Sequence, residues 1–266
     1  MIDDRLAGKT VIVTGAARGI GAAVAARVCR EGGSVVLVDA EAEAVEHLAE
    51  ELGEAAVAVV ADVSSEAEVD AYTKLAVDRF GGLDGVHNNA GIVGHLGAPL
   101  TEVEMEVYDR TLAVNARGVF LGVRAATRAM LAGGVKGSIV NTSSSVGIMG
   151  GAGLAPYVMS KHAIVGLTRA AAMEFAAAGI RVNAVCPGFI DTEMNRKPEE
   201  LVGEGDLETG RRRLEGGLAV GRYGVPDEIA TMVAYLLSDE ASYVSGGIFP
   251  VDHGFTAGAD VHQQQD

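Results

Sequence analysis

At 266 residues, 48% of them apolar, the chain can bury the core of one large α/β domain. Its 36 acidic against 21 basic side chains give a formal net charge of −15, which argues against nucleic acid or an anionic membrane as a partner. No basic-then-apolar leader opens the sequence and no apolar run approaches the ~18 residues of a membrane span; Cys29 and Cys186 make neither a disulfide framework nor a zinc site, so a cytoplasmic protein with no metal centre is expected.

Strand-like and helical patterns alternate from the start. "KTVIVTG" reads as a strand followed by a helix through Cys29, and "SVVLVDA" as a second strand before a helix over Ala42–Leu52. "AAVAVVAD" is the third strand, after which Ser65 and Glu68 form a capping box for a helix to Phe80. "LDGVHNNAG" holds the fourth strand. Thr101 and Glu104 then open a capped helix that runs past Asn115 to the neighbourhood of Leu131. "GSIVNTSS" is the fifth strand, and the next helix starts at Pro156, where the missing N–H of proline costs nothing. "GIRVNAVCPG" is the sixth strand. Residues 193–225 read as irregular and polar, Pro226–Leu237 as a helix and "GGIFPVD" as the last strand.

The strands are near-continuous apolar runs without period-two alternation, as expected when both sheet faces are covered. Strict β-α alternation with right-handed crossovers predicts α/β architecture: a single Rossmann-type doubly wound parallel sheet of about seven strands with helices on both faces. One domain should span residues 1–266, with 193–217 as a substrate lid and 257–266 as a flexible tail. In such a sheet ligands bind beyond the carboxyl ends of the strands, so the residues just after each strand carry the functional information.

"TGAARGIG" follows the first strand, and Gly15, Gly19 and Gly21 let the backbone turn sharply and approach a pyrophosphate at the helix N-terminus, with Arg18 and Ile20 in the same turn. The spacing is G-x-x-x-G-x-G rather than the G-x-G-x-x-G fingerprint. Asp39 ends the second strand, where a carboxylate can accept from the adenosine ribose hydroxyls and would repel a 2′-phosphate. Arg18 could pair with that phosphate, but no base follows Asp39 directly ("DAEAE"), so NAD is expected over NADP. Asp62 and Val63 are placed to meet the adenine, and Asn89, Ala90 and Gly91 of "NNAG" lie beside the cofactor. Tyr157 and Lys161, one helical turn apart, share a face.

The segments "TGAARGIG", "NNAG", Asn115 in "LAVNARGVF", Ser144, "YVMSK" and "PGFIDT" resemble the short-chain dehydrogenase/reductase family, in order and spacing, across essentially the whole chain. The resemblance implies a catalytic tetrad of Asn115, Ser144, Tyr157 and Lys161, with Ser144 preferred over Ser143 and Ser145 on the family's spacing to the tyrosine. It also implies the division of labour. Tyr157 would exchange a proton with an alcohol, Ser144 hold the substrate oxygen, Lys161 hold the nicotinamide ribose, and Asn115 fix a water that passes protons to bulk. Thr192 would meet the nicotinamide carboxamide, with the Ile190 amide as companion after the Pro187-Gly188 turn. Because a free phenol has a pKa of ~10, the neighbouring ammonium, joined by the positive nicotinamide ring, is expected to lower that of Tyr157.

The activity so implied is NAD-dependent interconversion of a secondary alcohol and a ketone. "SVGIMGGAGLAP", between Ser144 and Tyr157, is small and apolar without fixed charge, which predicts an uncharged, fairly hydrophobic substrate of cyclic, aryl or steroid type. A 3-oxoacyl-carrier-protein reductase shares these motifs but usually favours NADPH and needs a basic patch, and a non-catalytic NAD-sensing regulator is a third reading on the same scaffold. The family also implies a homotetramer, with helices around residues 103–131 and 156–178 between subunits. Of the histidines, none of which has metal-ligand spacing, His162 is expected to pack and His95 to lie exposed in a loop; His253 stands where the family's C-terminal motif has glycine.

Overall fold

A computed structural model describes residues 4–258 of the chain. The elements are β1 (Thr10–Thr14), α1 (Gly19–Arg30), β2 (Ser34–Asp39), α2 (Ala42–Leu52), β3 (Ala56–Val60) and α3 (Glu66–Phe80). Then come β4 (Gly85–Asn88), α4 (Met105–Leu112), a π-helical turn (Ala113–Arg117), α5 (Gly118–Gly133), β5 (Ser138–Thr142) and α6 (Ala155–Phe175). The chain continues through β6 (Arg181–Pro187), α7 (Arg196–Val202), α8 (Leu207–Gly216), α9 (Pro226–Leu237) and β7 (Ile248–Val251).

All pairings are parallel, and the strand order is β3-β2-β1-β4-β5-β6-β7. The chain winds outward from β1 to β3, then crosses back to β4 beside β1, so the order reverses between β1 and β4. That is the crevice where a doubly wound sheet receives a ligand.

Alternation along the strands feeds two separate cores. Ile12 of β1 packs with Val69 and Tyr72 of α3, Val119 and Met130 of α5 and Ile164 of α6. Its neighbours Val11 and Val13 turn to the other face, against Val24 and Val28 of α1 and Ile229 and Val233 of α9. These side chains are almost wholly shielded, and burying each contributes on the order of 2 kcal/mol. Gapless coverage of both faces is why the strands lack a polar stripe.

Three local expectations give way. Ser65 is the N-cap of α3, but its side chain caps nothing; Glu68 reaches past it to accept from the Asp62 N–H at 2.8 Å. The Asp62–Ser65 turn, closed by the Ser65 N–H on the Asp62 carbonyl, offers that donor instead. Thr101 opens no helix either. It lies in a short 3₁₀ turn, Val103 and Glu104 are extended, and α4 starts only at Met105.

Residues 193–225 are not irregular, since α7 and α8 lie within them. Polarity hid a capped helix there. Asp206 accepts from the Glu208 N–H at 3.1 Å and the Thr209 hydroxyl at 2.6 Å, and Arg211 pairs with Glu215 one turn on. Among the described residues no helix is long and apolar enough to cross a membrane. The expected tail lies outside the described residues from 259 onward.

Candidate active site

The floor of the crevice is the glycine turn after β1. Gly15 has φ +64°, and a Cβ there would lie 2.8 Å from Ala90 Cα. At Gly21 a Cβ would come within 1.9 Å of the Gly15 carbonyl oxygen, so side chains are excluded where "NNAG" packs directly on the turn. Asn89 Nδ2 donates to the carbonyls of Thr14 at 3.1 Å and Gly15 at 3.2 Å, and Thr14 Oγ1 accepts from the N–H groups of Asn89 and Ala90. No side chain caps α1 at Arg18, so the N–H groups of its first turn, Gly19 and Ile20 among them, face the crevice with the positive end of the helix. Bare backbone backed by a helix N-terminus fits the diphosphate of a dinucleotide.

Asp39 sits beside this turn. Its carboxylate accepts from the Ala17 N–H at 2.9 Å and the Glu41 N–H at 3.1 Å, leaving lone pairs for hydroxyl donors. Arg18 is not free for a phosphate, because it pairs with both Glu41 and Glu193. Asp62 is also engaged. Although partial burial pushes its carboxyl up, the Ser64 donors and Arg110, at 2.9 Å, hold it below the usual range. Val63 is buried against Gly118, and Gly91 is close to Asn115 and Lys161.

The opposite wall comes from β5 and α6. Ser144 follows β5 and caps a 3₁₀ turn, accepting from the Val146 N–H at 3.3 Å. Pro156 in the first turn of α6 projects Tyr157 and Lys161 from one face. Lys161 is buried; its Nζ donates to the Thr142 carbonyl at 2.9 Å and lies 5.5 Å from the centre of the Tyr157 ring.

The expected lowering of the phenol does not occur with protein groups alone around it. Burial pushes Tyr157 up to about 12, opposed by the influence of the Ser144 hydroxyl. Burial also draws Lys161 down to about 8, against an opposing influence from Cys186. The ammonium stands over the ring face and is bonded to Thr142 rather than to the hydroxyl, so desolvation outweighs attraction.

Asn115 lies in the π-helical turn, fully buried. Its Oδ1 accepts from the Ile92 N–H at 2.8 Å, while Nδ2 donates to the Ile92 carbonyl at 2.8 Å and to Ser160 Oγ at 3.0 Å. Ser160 Oγ donates in turn to the Tyr157 carbonyl at 2.7 Å. The side chain thus clasps the loop after β4 to the turn of α6 that carries Tyr157, so a water could be held here only by its backbone.

Beyond β6, Pro187 pairs with Val251, and the Gly188 N–H donates to the Val251 carbonyl. Phe189 and Asp191 bond to Gly224, which turns the Ile190 N–H to the other side. Thr192 is brought to the glycine turn, where a Cβ on Gly19 would meet its methyl group at 3.0 Å.

Thr14, Thr142 and Ser160 are central to the site although none is among the expected site residues; Thr14 and Ser160 stand inside "TGAARGIG" and "YVMSK", and for Thr142 the signal is a hydroxyl at a strand's carboxyl end. His162 is exposed and bonds the Val158 carbonyl of its own helix rather than packing. His95 is not exposed: the residue is half-buried and its Nε2 is shielded, without a partner among the described residues. His253 adopts φ +50°, the left-handed conformation that glycine takes most easily.

A family model described as "Enoyl-(Acyl carrier protein) reductase" matches residues 15–256. The chain is 40% identical over 261 residues to levodione reductase of Leifsonia aquatica, covering 95% of this chain and 96% of that protein. The crystal structure of levodione reductase superposes with a TM-score of 0.90 at 37% identity, covering 95% of this chain and 99% of the other. A 2,5-dichloro-2,5-cyclohexadiene-1,4-diol dehydrogenase of Sphingobium indicum is 39% identical over 252 residues, covering 95% and 98%. The structure of 3-ketoacyl-(acyl-carrier-protein) reductase from Brucella melitensis complexed with NADH matches with a TM-score of 0.85 at 36% identity, covering 94% and 99%.

Proposed function

The chain belongs to the short-chain dehydrogenase/reductase family, and on that premise we propose that it is an NAD(H)-dependent enzyme interconverting a secondary alcohol and a ketone on an uncharged cyclic substrate. The observation that carries this reading is the convergence of Ser144, Tyr157 and Lys161 at the carboxyl end of β5, across the crevice from the glycine turn. The bound nicotinamide would supply a hydride acceptor or donor and, when oxidised, a positive charge.

Tyr157 Oη takes the alcohol proton as the C–H bond breaks, or returns it to the nascent alkoxide in the reverse direction. Its phenol, held near about 12 by burial, needs added positive charge before it can act as a base at neutral pH. Lys161 provides part of that charge and positions the ribose. Ser144 Oγ donates to the substrate oxygen, stabilising charge that develops there. Asn115 keeps the turn beneath Tyr157 in place and fixes a water that leads protons outward. Gly15, Gly19, Ile20 and Gly21 receive the diphosphate, Asp39 the adenosine ribose, Asp62 and Val63 the adenine, and Asn89, Ala90, Gly91, Pro187, Gly188, Ile190 and Thr192 line the nicotinamide end.

NAD is favoured because a 2′-phosphate near Asp39 would meet the Glu41 carboxylate too, with Arg18 already claimed by Glu41 and Glu193. A cyclic substrate is favoured by the ring compounds named for the relatives and by apolar Ile148, Met149 and Met194, partly exposed just beyond Ser144 and Thr192. The lid over residues 193–217 belongs to the same reading, supported by Leu201 of α7 lying against Gly97 in the loop after β4. Exposed Phe120, Leu131, Met159 and Met173 on α5 and α6 support a homotetramer, and a cytoplasmic setting completes the proposal. Carrier-protein thioester reduction is the second reading, favoured by the Brucella structure. A panel of cyclic ketones, cyclic alcohols and acyl thioesters, followed at the NADH and NADPH absorbance, decides between them. Turnover of cyclic compounds with NADH is expected; turnover confined to thioesters with NADPH overturns the proposal.

A further inference from the structure

We propose that His87, a residue with no assigned part in the reaction, is a positioning residue that fixes the junction between the catalytic lysine and the glycine turn and thereby sets cofactor affinity. The inference rests on the dehydrogenase reading above. His87 lies on β4 in the middle of the sheet, paired with Val13 of β1 and Val140 of β5, and is fully buried. An imidazole among valines costs desolvation that another valine would not, which asks what the ring does.

Its Nε2 lies 2.8 Å from Thr142 Oγ1. The single hydroxyl proton of Thr142 points to Asn89 Oδ1, at 3.4 Å, which can only accept. A buried N–H without a partner is rarer and costlier than a bare lone pair, so Nδ1, which lacks any partner among the described residues, is assigned the lone pair and Nε2 the proton donated to Thr142. From this one donor the ordering runs two ways. Through the backbone, Thr142 presents its carbonyl to Lys161 Nζ at 2.9 Å. Through Asn89, whose Oδ1 is turned to Thr142, the opposite end of the amide is aimed at the carbonyls of Thr14 and Gly15. The Thr14 hydroxyl closes the circuit on the His87 carbonyl at 3.5 Å. The imidazole thus holds both the lysine's anchor and the backbone that receives the diphosphate.

His87→Leu removes the donor, His87→Gln restores an N–H at the reach of Nε2, and Thr142→Val removes the acceptor while keeping the carbonyl for Lys161. NADH affinity is read from the cofactor's own fluorescence, which no tryptophan of this chain obscures, and KM for NAD and kcat are measured alongside. His87→Leu and Thr142→Val should each weaken NADH about fivefold and raise KM for NAD in step, as expected for one lost hydrogen bond. The double variant should be no worse than either single one, because both break the same junction. His87→Gln should stay within about twofold of wild type. Nitrogen NMR of the wild-type ring should show the neutral Nε2–H tautomer. Wild-type affinity in folded His87→Leu, equal impairment in His87→Gln, or an Nδ1–H tautomer would overturn the inference. Should His87→Leu fail to fold, a Thr142→Val enzyme indistinguishable from wild type overturns it alone. Wild type that binds no NADH sinks the functional reading and this one with it; wild type that binds while the variants match it sinks this one only.

Discussion

At the carboxyl ends of β1, β4 and β5 the polar groups are buried and bonded to one another, whereas the α7–α8 segment is tied down by ion pairs at the surface. Thr14, Asn88, Asn115, Asn141, Thr142 and Lys161 are all shielded from water, and Asn88, Asn141 and Thr168 form a further buried chain of side-chain hydrogen bonds. On α8, by contrast, Arg211 bridges Asp191 and Glu215, and Arg213 reaches Glu204, with side chains between one-quarter and four-fifths exposed. A buried group deprived of its partner costs about 1–3 kcal/mol, while an exposed pair is worth at most about 1 kcal/mol. Fixed chemistry sits on the expensive framework. The segment proposed to select substrate is held by contacts that can be exchanged cheaply.

The sharpest break of this contrast is Tyr157→Phe. It should lower kcat by about a thousandfold while NADH binding, followed by fluorescence, stays nearly unchanged; undiminished turnover would mean that the buried framework positions nothing catalytic.

Next comes Asn115→Leu, which leaves the Ile92 N–H and carbonyl without their partner and takes from Ser160 Oγ the donor it accepts from. A loss of about 3 kcal/mol is expected, read as a fall in the urea midpoint at unchanged slope.

Acid tests the same framework through His87. Burial, and to a lesser degree Lys161, pushes its pKa from the ordinary 6.5 down to about 3. Between those values the unfolded chain binds a proton that the folded chain refuses, so this residue makes stability fall as pH drops from 6.5 toward 3. The slope it contributes is about 1.4 kcal/mol per pH unit. His87→Gln should flatten that part of the acid limb in a series of urea titrations.

The smallest effect belongs to the other region. Arg211→Ala removes the Asp191 and Glu215 pairs and the stacking over Tyr223, at 4.9 Å, yet should cost no more than about 1 kcal/mol of stability. Substrate KM should rise a few-fold with kcat little altered; a collapse in kcat would show that α8 is part of the fixed machinery after all.

The contrast also explains what could be read from the sequence. Strand-end glycines and "NNAG" announce themselves because a backbone that must touch backbone tolerates few residue types, as the blocked Cβ positions at Gly15 and Gly21 show, and the Tyr157–Lys161 pair because one helical turn separates the two. Seven strands and their parallel order followed from β-α alternation. The behaviour of Tyr157 did not, since a neighbouring lysine is visible in sequence but the desolvation that outweighs it is not. Nor did α7, which has no side-chain cap, or α8, whose Asp206 cap and Arg211 and Arg213 pairs use residues that serve equally well in loops. Asp62 was placed at the right strand end, yet Arg110, forty-eight positions away in the chain, occupies one of its oxygens.

The π-helical turn at Ala113–Arg117 has an evolutionary consequence. Its one surplus residue shifts the phase of everything downstream by about a hundred degrees, and Val119, Val123, Ala126 and Met130 reach the core only in that shifted phase. No point substitution can iron it out. Straightening the turn at constant length would swing the whole apolar face of α5 toward solvent, so the bulge can be lost only together with one residue, by a deletion that keeps the downstream face where it is.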